Sequence, residues 1–117
     1  MFYSQTVPDL SRDPVVVLVF TLSGCGHCRE YLPRFQRIAA KYEHCLPVIV
    51  LDASRAQFSR PADYFRIIGT PATIVLRRGR GVVHKIDGAA SDAEIERAFQ
   101  VAVAGLSCEL AQAQRRR

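Results

Sequence analysis

The sequence predicts one α/β domain, built on a mixed four-stranded sheet with helices on both of its faces. The first supporting observation is residues 15–20, "VVVLVF", because a continuous β-branched run is typical of a strand buried on both faces. The second is the order of the predicted elements, which is strand, helix, strand, helix, hairpin, helix. The first two strands, joined by a helix, should lie parallel, whereas the hairpin adds antiparallel strands to the same sheet.

The first half of the chain supplies the parallel strands and the helix between them. After residues 15–20, apolar residues recur at helical spacing and predict a helix over residues 26–42. Pro33 should kink this helix, because proline removes a backbone hydrogen bond in a helix interior. Residues 47–51, "PVIVL", predict the second buried strand.

The middle of the chain predicts a short helix and the hairpin. Pro61 should open the short helix as its first residue. The apolar residues that this helix carries are Tyr64, Phe65 and Ile68. Residues 72–77 and 82–86 flank a glycine-rich turn and predict the hairpin, which Gly88 closes.

A last helix is predicted from Ser91 onward. Ser91 and Glu94 have the spacing of a capping box, in which the serine and glutamate side chains each bond to a free amide of the first turn. Apolar residues then keep the helical period up to Leu106, and Gly105 is a stop signal.

Composition and length fit an ordinary globular domain. Apolar residues make up 49% of the chain and charged residues 23%. The longest apolar run is too short to cross a bilayer, and no leader with a cleavage site opens the chain. We therefore expect a cytoplasmic protein that has no membrane partner. In that compartment the four cysteines are expected to be catalytic, metal-binding or buried rather than structural staples.

The net charge of +5 comes mostly from arginine and includes a basic tail. We interpret residues 107–117 as a solvated tail rather than a nucleic-acid site, because no RNA-binding aromatic motif or helix-turn-helix pattern accompanies it. The single domain spans residues 1–117, with residues 1–14 as a short arm or strand. We expect a monomer.

Two cysteines in "SGCGHCR", Cys25 and Cys28, are the candidate reactive groups. Their spacing fits a reversible disulfide, half of a metal site, or two thiols that share a helical turn. A strand followed at once by a helix places Cys25 at the helix N-terminus, where free amides and the helix dipole favour a thiolate. Cys28, one turn later, would be less exposed.

In this setting the chain resembles the thioredoxin-fold family, and "CGHC" is the version found in protein disulfide isomerase domains. Pro33, eight residues after Cys25, matches the family's proline in the active-site helix. The segment "IGTPATIVL" resembles the family's cis-proline segment, and Gly88 resembles a family glycine. The resemblance covers about residues 15–105.

The resemblance implies a thiol–disulfide oxidoreductase acting on protein or peptide thiols and disulfides. Cys25 would attack, Cys28 would resolve the mixed disulfide, and Gly26 and His27 would tune the reduction potential. Pro71 would be cis and face the dithiol, while the backbone of Thr70 would pair with a substrate peptide. By the same resemblance, Thr70 and Pro71 would keep metal ions away from the Cys25 and Cys28 thiols.

No bound cofactor is implied, because the Cys25–Cys28 disulfide is itself the redox group. A reductase or glutathione would have to recycle it. An imidazolium at His27 would favour the Cys25 thiolate and make the pair a stronger oxidant than thioredoxin, whose potential is about −270 mV.

Three departures from the family pattern are visible. Gly24 stands where thioredoxins usually have tryptophan, and Val19 stands where many members have a buried acid, so Glu30 or water would have to accept the Cys28 proton. Only fourteen residues precede the first buried strand, which implies a shortened N-terminal unit. It would be a short fifth strand or an irregular arm involving Phe2, Tyr3 and Leu10.

Two other readings compete with reversible disulfide chemistry. A zinc site could join the motif cysteines to His44 and Cys45, but a helix between them would separate Cys28 and Cys45 by about 25 Å. A non-catalytic interaction module is the alternative function, although such modules usually lose one or both cysteines.

The sequence has two further cysteines and two further histidines outside the motif. Cys45 and Cys108 both follow predicted helices and could pair, but we expect unpaired thiols, because a reducing compartment disfavours disulfides. His44 and His84 are expected to be surface residues.

Overall fold

The computed structural model describes residues 2–3, 13–55 and 62–108. Its elements are strands β1 (Phe2–Tyr3), β2 (Val15–Thr21), β3 (Val48–Asp52), β4 (Ala72–Arg77) and β5 (Gly81–Asp87), and helices α1 (Gly26–Ala39) and α2 (Asp92–Val103). The strands form one sheet in the order β1-β3-β2-β4-β5. β3 is parallel to β1 and β2, whereas β4 is antiparallel to β2 and β5. The predicted mixed sheet is confirmed.

Residues 2–3, at the start of the sequence, form the edge strand β1. Phe2 and Tyr3 pair in parallel with Ile49 and Val50 of β3, which makes the sheet five-stranded. Of the two forms predicted for the N-terminal unit, the short strand is therefore present. Leu10 and the rest of residues 4–12 lie outside the described residues.

Strand β2 is buried on both faces, as its β-branched composition predicts. Val15, Val17 and Val19 contact a core formed with α1 and α2. The alternate residues of the strand contact a second core, which residues 62–67 help to cover. Both long helices therefore pack on one face of the sheet, and the segment with the short helical turn packs on the other.

Helix α1 ends at Ala39, three residues before the predicted end. Beyond it the amide of Tyr42 donates to the carbonyl of Ala39, so the bonding tightens to a turn while the Tyr42 side chain stays fully buried. Its ring stacks on Phe99 of α2 with centroids 4.8 Å apart. Pro33 lies inside α1 as predicted.

The other predicted ends are close to those observed. Ser91 is the N-cap of α2 and forms the complete capping box with Glu94. Gly105, with a φ of +82°, follows the end of the helix. Arg77 donates to the carbonyls of Val101 and Ala104 and so satisfies groups that the helix end leaves free.

The segment before β4 differs from its prediction in one respect. Residues 62–64 are helical, and Phe65 packs against Phe20 with ring centroids 6.1 Å apart. Ile68 lies beyond the helical turn and is 92% exposed, so it is not part of a helix face. Pro61 lies outside the described residues. No helix within the described ranges has the length and apolarity needed to span a membrane.

Candidate active site

Cys25 and Cys28 form a disulfide at the N-terminus of α1. Cys25 is the N-cap residue, and its Sγ accepts a hydrogen bond of 3.1 Å from the Cys28 amide. Cys25 is partly exposed, whereas Cys28 is 3% exposed. One sulfur can therefore be reached from solvent and the other lies beneath it, as the sequence predicted.

The turn before the disulfide has a conformation that suits glycine at position 24. Gly24 has a φ of +78°, and the Cys25 amide donates to the Leu22 carbonyl to close the turn. A left-handed residue is needed here, and a bulky side chain would be strained. Gly26 has no such need, because its φ is not positive and an added Cβ would meet nothing within 4 Å.

The segment carrying Thr70 and Pro71 lies against the disulfide. The Thr70–Pro71 peptide bond is cis, as the resemblance implied. The Thr70 hydroxyl donates to Cys25 Sγ across 3.4 Å. The backbone carbonyl oxygen of Thr70 lies 3.6 Å from the same sulfur and could accept a hydrogen bond from a Cys25 thiol. The sequence pointed only to the Thr70 backbone, since nothing in the motif indicates the direction of the side chain.

His27 and Glu30 both lie on the exposed side of α1. Arg34 donates two hydrogen bonds to the Glu30 carboxylate, at 2.6 and 3.1 Å, and this contact lowers the pKa of Glu30. Its carboxylate is held by Arg34 on the exposed side of the helix, whereas Cys28 is buried. Of the two candidates for taking the Cys28 proton, the structure therefore favours water.

Beside Val19, a neutral polar pair lies in the core. Thr73 is the β4 residue opposite Val19, and its Oγ1 lies 2.8 Å from the Tyr31 hydroxyl oxygen in a hydrogen bond. Both side chains are buried, and burial raises the pKa of Tyr31, so the pair is uncharged at neutral pH. Val19 thus lies beside a polar pair that is neutral at neutral pH.

A small cavity of about 210 Å³ opens next to the disulfide. Cys28, Thr21 and Asp52 are among its lining residues. Asp52 accepts hydrogen bonds from the amide and hydroxyl of Ser54, and the hydroxyl contact lowers its pKa. Because both Cys28 and the Asp52 carboxylate line it, the cavity has room for water in contact with each of them. Sequence reasoning missed Asp52, because a single carboxylate that follows a predicted strand carries no motif relating it to Cys28.

Cys45 and Cys108 also form a disulfide, so the prediction of unpaired thiols is wrong. The turn after α1 and the turn after α2 lie at the same end of the same face, because Phe35 and Tyr42 both pack on Phe99. This brings the two Cα atoms to 5.5 Å. The prediction of free thiols assumed a reducing compartment. It did not include the short distance between the two cysteines that the packing of the helices produces.

The zinc reading of the motif has no support in this geometry. Within the described residues, the group of His, Cys, Asp or Glu side chains close enough to hold a metal combines His44 and Cys45 with Cys108. Neither Cys25 nor Cys28 belongs to it. His44 is exposed and His84 is partly buried.

Known proteins resemble this chain in sequence and in fold. The Thioredoxin family model matches residues 2–101. Protein disulfide-isomerase of Ricinus communis is 24% identical over 103 residues, and protein disulfide-isomerase A4 of Mus musculus is 30% identical over 81 residues. These matches cover 73% and 68% of this chain, which spans only 20% and 12% of those relatives.

Solved thioredoxins share the fold. The germline-specific thioredoxin Deadhead of Drosophila melanogaster superposes with a TM-score of 0.71 at 22% identity, over 85% of this chain and 96% of that one. The thioredoxin pre-protein of Schistosoma mansoni gives 0.68 at 24% identity, over 80% and 85%. With a family model that covers most of the sequence and a disulfide in the matching motif, the chain belongs to the thioredoxin family of thiol–disulfide oxidoreductases.

Proposed function

We propose that the chain carries electrons between protein or peptide thiols and disulfides through Cys25 and Cys28. The observation that supports this best is the unequal setting of the two sulfurs. Cys25 is partly exposed and accepts hydrogen bonds from the Cys28 amide and the Thr70 hydroxyl, whereas Cys28 is buried. Donors of this kind stabilise a thiolate and make Cys25 both the better nucleophile and the better leaving group.

In the oxidising direction, a substrate thiolate attacks Cys25 Sγ and the bond to Cys28 breaks. The electron pair leaves on Cys28 Sγ, which takes a proton. A second substrate thiolate then attacks the substrate sulfur of the mixed disulfide and releases Cys25 as a thiolate. The substrate gains one disulfide, and the chain gains two electrons.

In the reducing direction, the Cys25 thiolate attacks a substrate disulfide and expels one substrate thiolate. Cys28 must then lose its proton to attack Cys25 Sγ. Water in the cavity that joins Cys28 to Asp52 is the proposed acceptor, with the Asp52 carboxylate taking the proton from that water. No step requires a bound cofactor.

Substrate peptides would dock on the surface formed by Leu22, Ile68 and Thr70. Leu22 and Ile68 are apolar yet 42% and 92% exposed. Both flank the segments that contact Cys25, and the Thr70 backbone is available to pair with an extended peptide. In the absence of tryptophan, Ile68 would supply the apolar contact.

The reduction potential decides between reductase and isomerase-like activity. We expect a potential above about −270 mV, the thioredoxin value, because of the histidine in the motif. Equilibration with glutathione, followed by alkylation and mass measurement, gives the potential. Replacing His27 with alanine should lower the reduction potential. Each tenfold change in the equilibrium constant for exchange with glutathione corresponds to about 30 mV. The matched control is His84→Ala, which should leave the potential unchanged. A midpoint at or below the thioredoxin value would contradict the proposal on direction.

The interaction-module alternative is not favoured, because both cysteines are present and bonded. If Cys25→Ser/Cys28→Ser chains kept full activity in cells, the catalytic reading would fail.

A reductase or glutathione would recycle the pair. The cytoplasmic location stays a prediction, and the Cys45–Cys108 disulfide weighs against it, since such bonds persist mainly in oxidising compartments.

A further inference from the structure

We propose that His44, Cys45 and Cys108 bind a thiophilic divalent cation such as Zn²⁺ when the Cys45–Cys108 disulfide is reduced. One nitrogen and two sulfur atoms of these residues all lie within 4.8 Å of one another. Imidazole and thiolate are ligands that zinc prefers, and tetrahedral coordination separates such atoms by about 3.5 to 3.8 Å. Once the S–S bond opens, small side-chain rotations are enough to reach that geometry.

The backbone around the cluster is held by more than the disulfide. The Cys45 amide donates to the Tyr42 carbonyl across 2.9 Å, and Tyr42 is buried and stacked on Phe99 of α2. Cys108 itself is 2% exposed and belongs to the core. The two sulfurs should therefore stay close after reduction, which leaves less ordering to be done on metal binding.

The charges and exposure of the three ligands also suit a divalent cation. Two thiolates and a neutral imidazole around Zn²⁺ form a complex with no net charge, which suits a site whose deeper sulfur lies in the apolar core. Cys45 is partly exposed and His44 is exposed, so the metal can enter from solvent. A fourth position would remain for water.

The exchange between disulfide and metal site balances with a dithiol as the reductant. The two sulfurs of the dithiol become its disulfide, and Cys45 and Cys108 become thiols. Zn²⁺ then displaces two thiol protons to solvent. Oxidation of the pair would expel the metal, so the cluster would hold a disulfide in an oxidising compartment and a metal in a reducing one.

The cluster is separate from the catalytic pair. Cys25 caps the N-terminus of α1, and Cys45 follows its C-terminus. A helix of 14 residues is about 21 Å long. Metal bound at one end would therefore leave the Cys25–Cys28 pair free to react at the other.

Cobalt titration of the Cys25→Ser/Cys28→Ser chain tests the proposal. The chain is reduced without oxygen by a phosphine, which takes oxygen from water and adds no thiol. Added Co²⁺ should give thiolate-to-cobalt charge-transfer absorption and the visible bands of tetrahedral cobalt, saturating at one ion per chain. Zn²⁺ should displace it, and the unreduced chain should give no such bands.

Single substitutions in that background identify the ligands. His44→Ala should weaken cobalt binding about tenfold or more, as loss of a metal-site contact does. Cys45→Ser leaves one thiolate, Cys108, and should reduce the charge-transfer band by half or more. His84→Ala is the matched control and should change nothing. Absence of the bands in the reduced parent, or equal affinity in the His44→Ala chain, would overturn the proposal. If Cys45→Ser fails to fold, the cobalt affinity of the His44→Ala chain still tests the proposal, because His44 is exposed.

Discussion

The hydroxyl of Thr70 donates a hydrogen bond of 3.4 Å to Cys25 Sγ, so a side chain next to the cis-proline touches this sulfur directly. Together with the amide of Cys28, it gives that sulfur two hydrogen-bond donors. Donors at this position stabilise the thiolate more than the thiol. In the proposed mechanism, Thr70 would therefore act on the chemistry of Cys25 as well as on peptide docking.

Removing this donor should make Cys25 less reactive at neutral pH. In Thr70→Val, the midpoint of the pH dependence of Cys25 alkylation should move up by about one pH unit, which corresponds to about 1.4 kcal/mol. Thr70→Ser keeps the hydroxyl and should behave like the parent. An unchanged midpoint in the valine variant would mean that the hydroxyl does not stabilise the thiolate.

Asp52 should matter for the step in which Cys28 acts. Because its pKa is lowered from the usual 3.8, Asp52 is ionised at neutral pH and can accept a proton through water. Asp52→Asn should slow release of a mixed disulfide by Cys28 about tenfold or more, and leave the first attack by Cys25 unchanged. Single-turnover kinetics with a peptide disulfide separate the two steps.

Ser54→Ala is the companion variant for Asp52. It removes the hydrogen bond that chiefly lowers the Asp52 pKa, but it keeps the carboxylate. The slow step should therefore stay fast at neutral pH and begin to fail at a higher pH than in the parent. Slowing of both steps alike in Asp52→Asn would point to a general structural effect instead.

The buried Tyr31–Thr73 pair makes a prediction about stability. Tyr31→Phe should leave the Thr73 hydroxyl buried without its partner and lower the free energy of unfolding by about 1 to 3 kcal/mol. Adding Thr73→Val removes that orphaned group and should recover much of the loss. Urea unfolding of the single and double variants measures both effects, and simple additivity of the two losses would contradict the pairing.

The Cys45–Cys108 disulfide should stabilise the fold strongly. It joins residues 63 positions apart, and a loop of that size restricts the unfolded chain by about 4 kcal/mol. In a Cys25→Ser/Cys28→Ser background, Cys45→Ser/Cys108→Ser should lose about that much stability. Adding reductant to the background alone should cause a similar loss, and no change in either case would mean that the pair is not bonded in solution.

Arg34 should link the two long helices in a pH-dependent way. It pairs with Glu30 on α1 and with Asp92 and the Ala90 carbonyl at the start of α2. Because Arg34 lowers the Glu30 pKa in the folded state, this stabilisation is present above the usual value of 4.5 and is lost as the pH falls through the lowered one.

The expected result for Arg34→Met is a lower Tm at neutral pH than the parent, with the two curves converging in acid. Arg37→Met is the control, since Arg37 pairs with Asp92 alone among the contacts described and is mostly exposed. A Tm difference that stayed constant down to strongly acidic pH would show that packing of the Arg34 stem, not its charge, holds the helices.

Local patterns in the sequence predicted most of the fold. The β-branched run of β2 and the capping box at Ser91 act within a few residues, so their signals survive without knowledge of the rest of the structure. The end of α1 was misplaced because Tyr42 keeps the apolar period of the helix after the backbone has left it. The apolar period reports which residues are buried, not which residues form helical hydrogen bonds. After Ala39 the chain remains buried but is no longer helical.

The candidate site was predictable in its sulfurs and less so in its neighbours. Cys25 and Cys28 follow from spacing next to a strand and a helix. The Thr70 hydroxyl, Asp52 and the Cys45–Cys108 bond depend on how distant segments pack, and no spacing along the chain reports that.

The second disulfide also divides the chain mechanically. The covalent loop from Cys45 to Cys108 contains β3, β4, β5 and α2, whereas β1, β2 and α1 lie outside it. Strand β2 lies between two strands of the closed loop and is held only by noncovalent contacts. A pulling force on the oxidised chain would extract β2 and α1 but leave the loop closed. The fully stretched chain would then be shorter by about 200 Å than its reduced form.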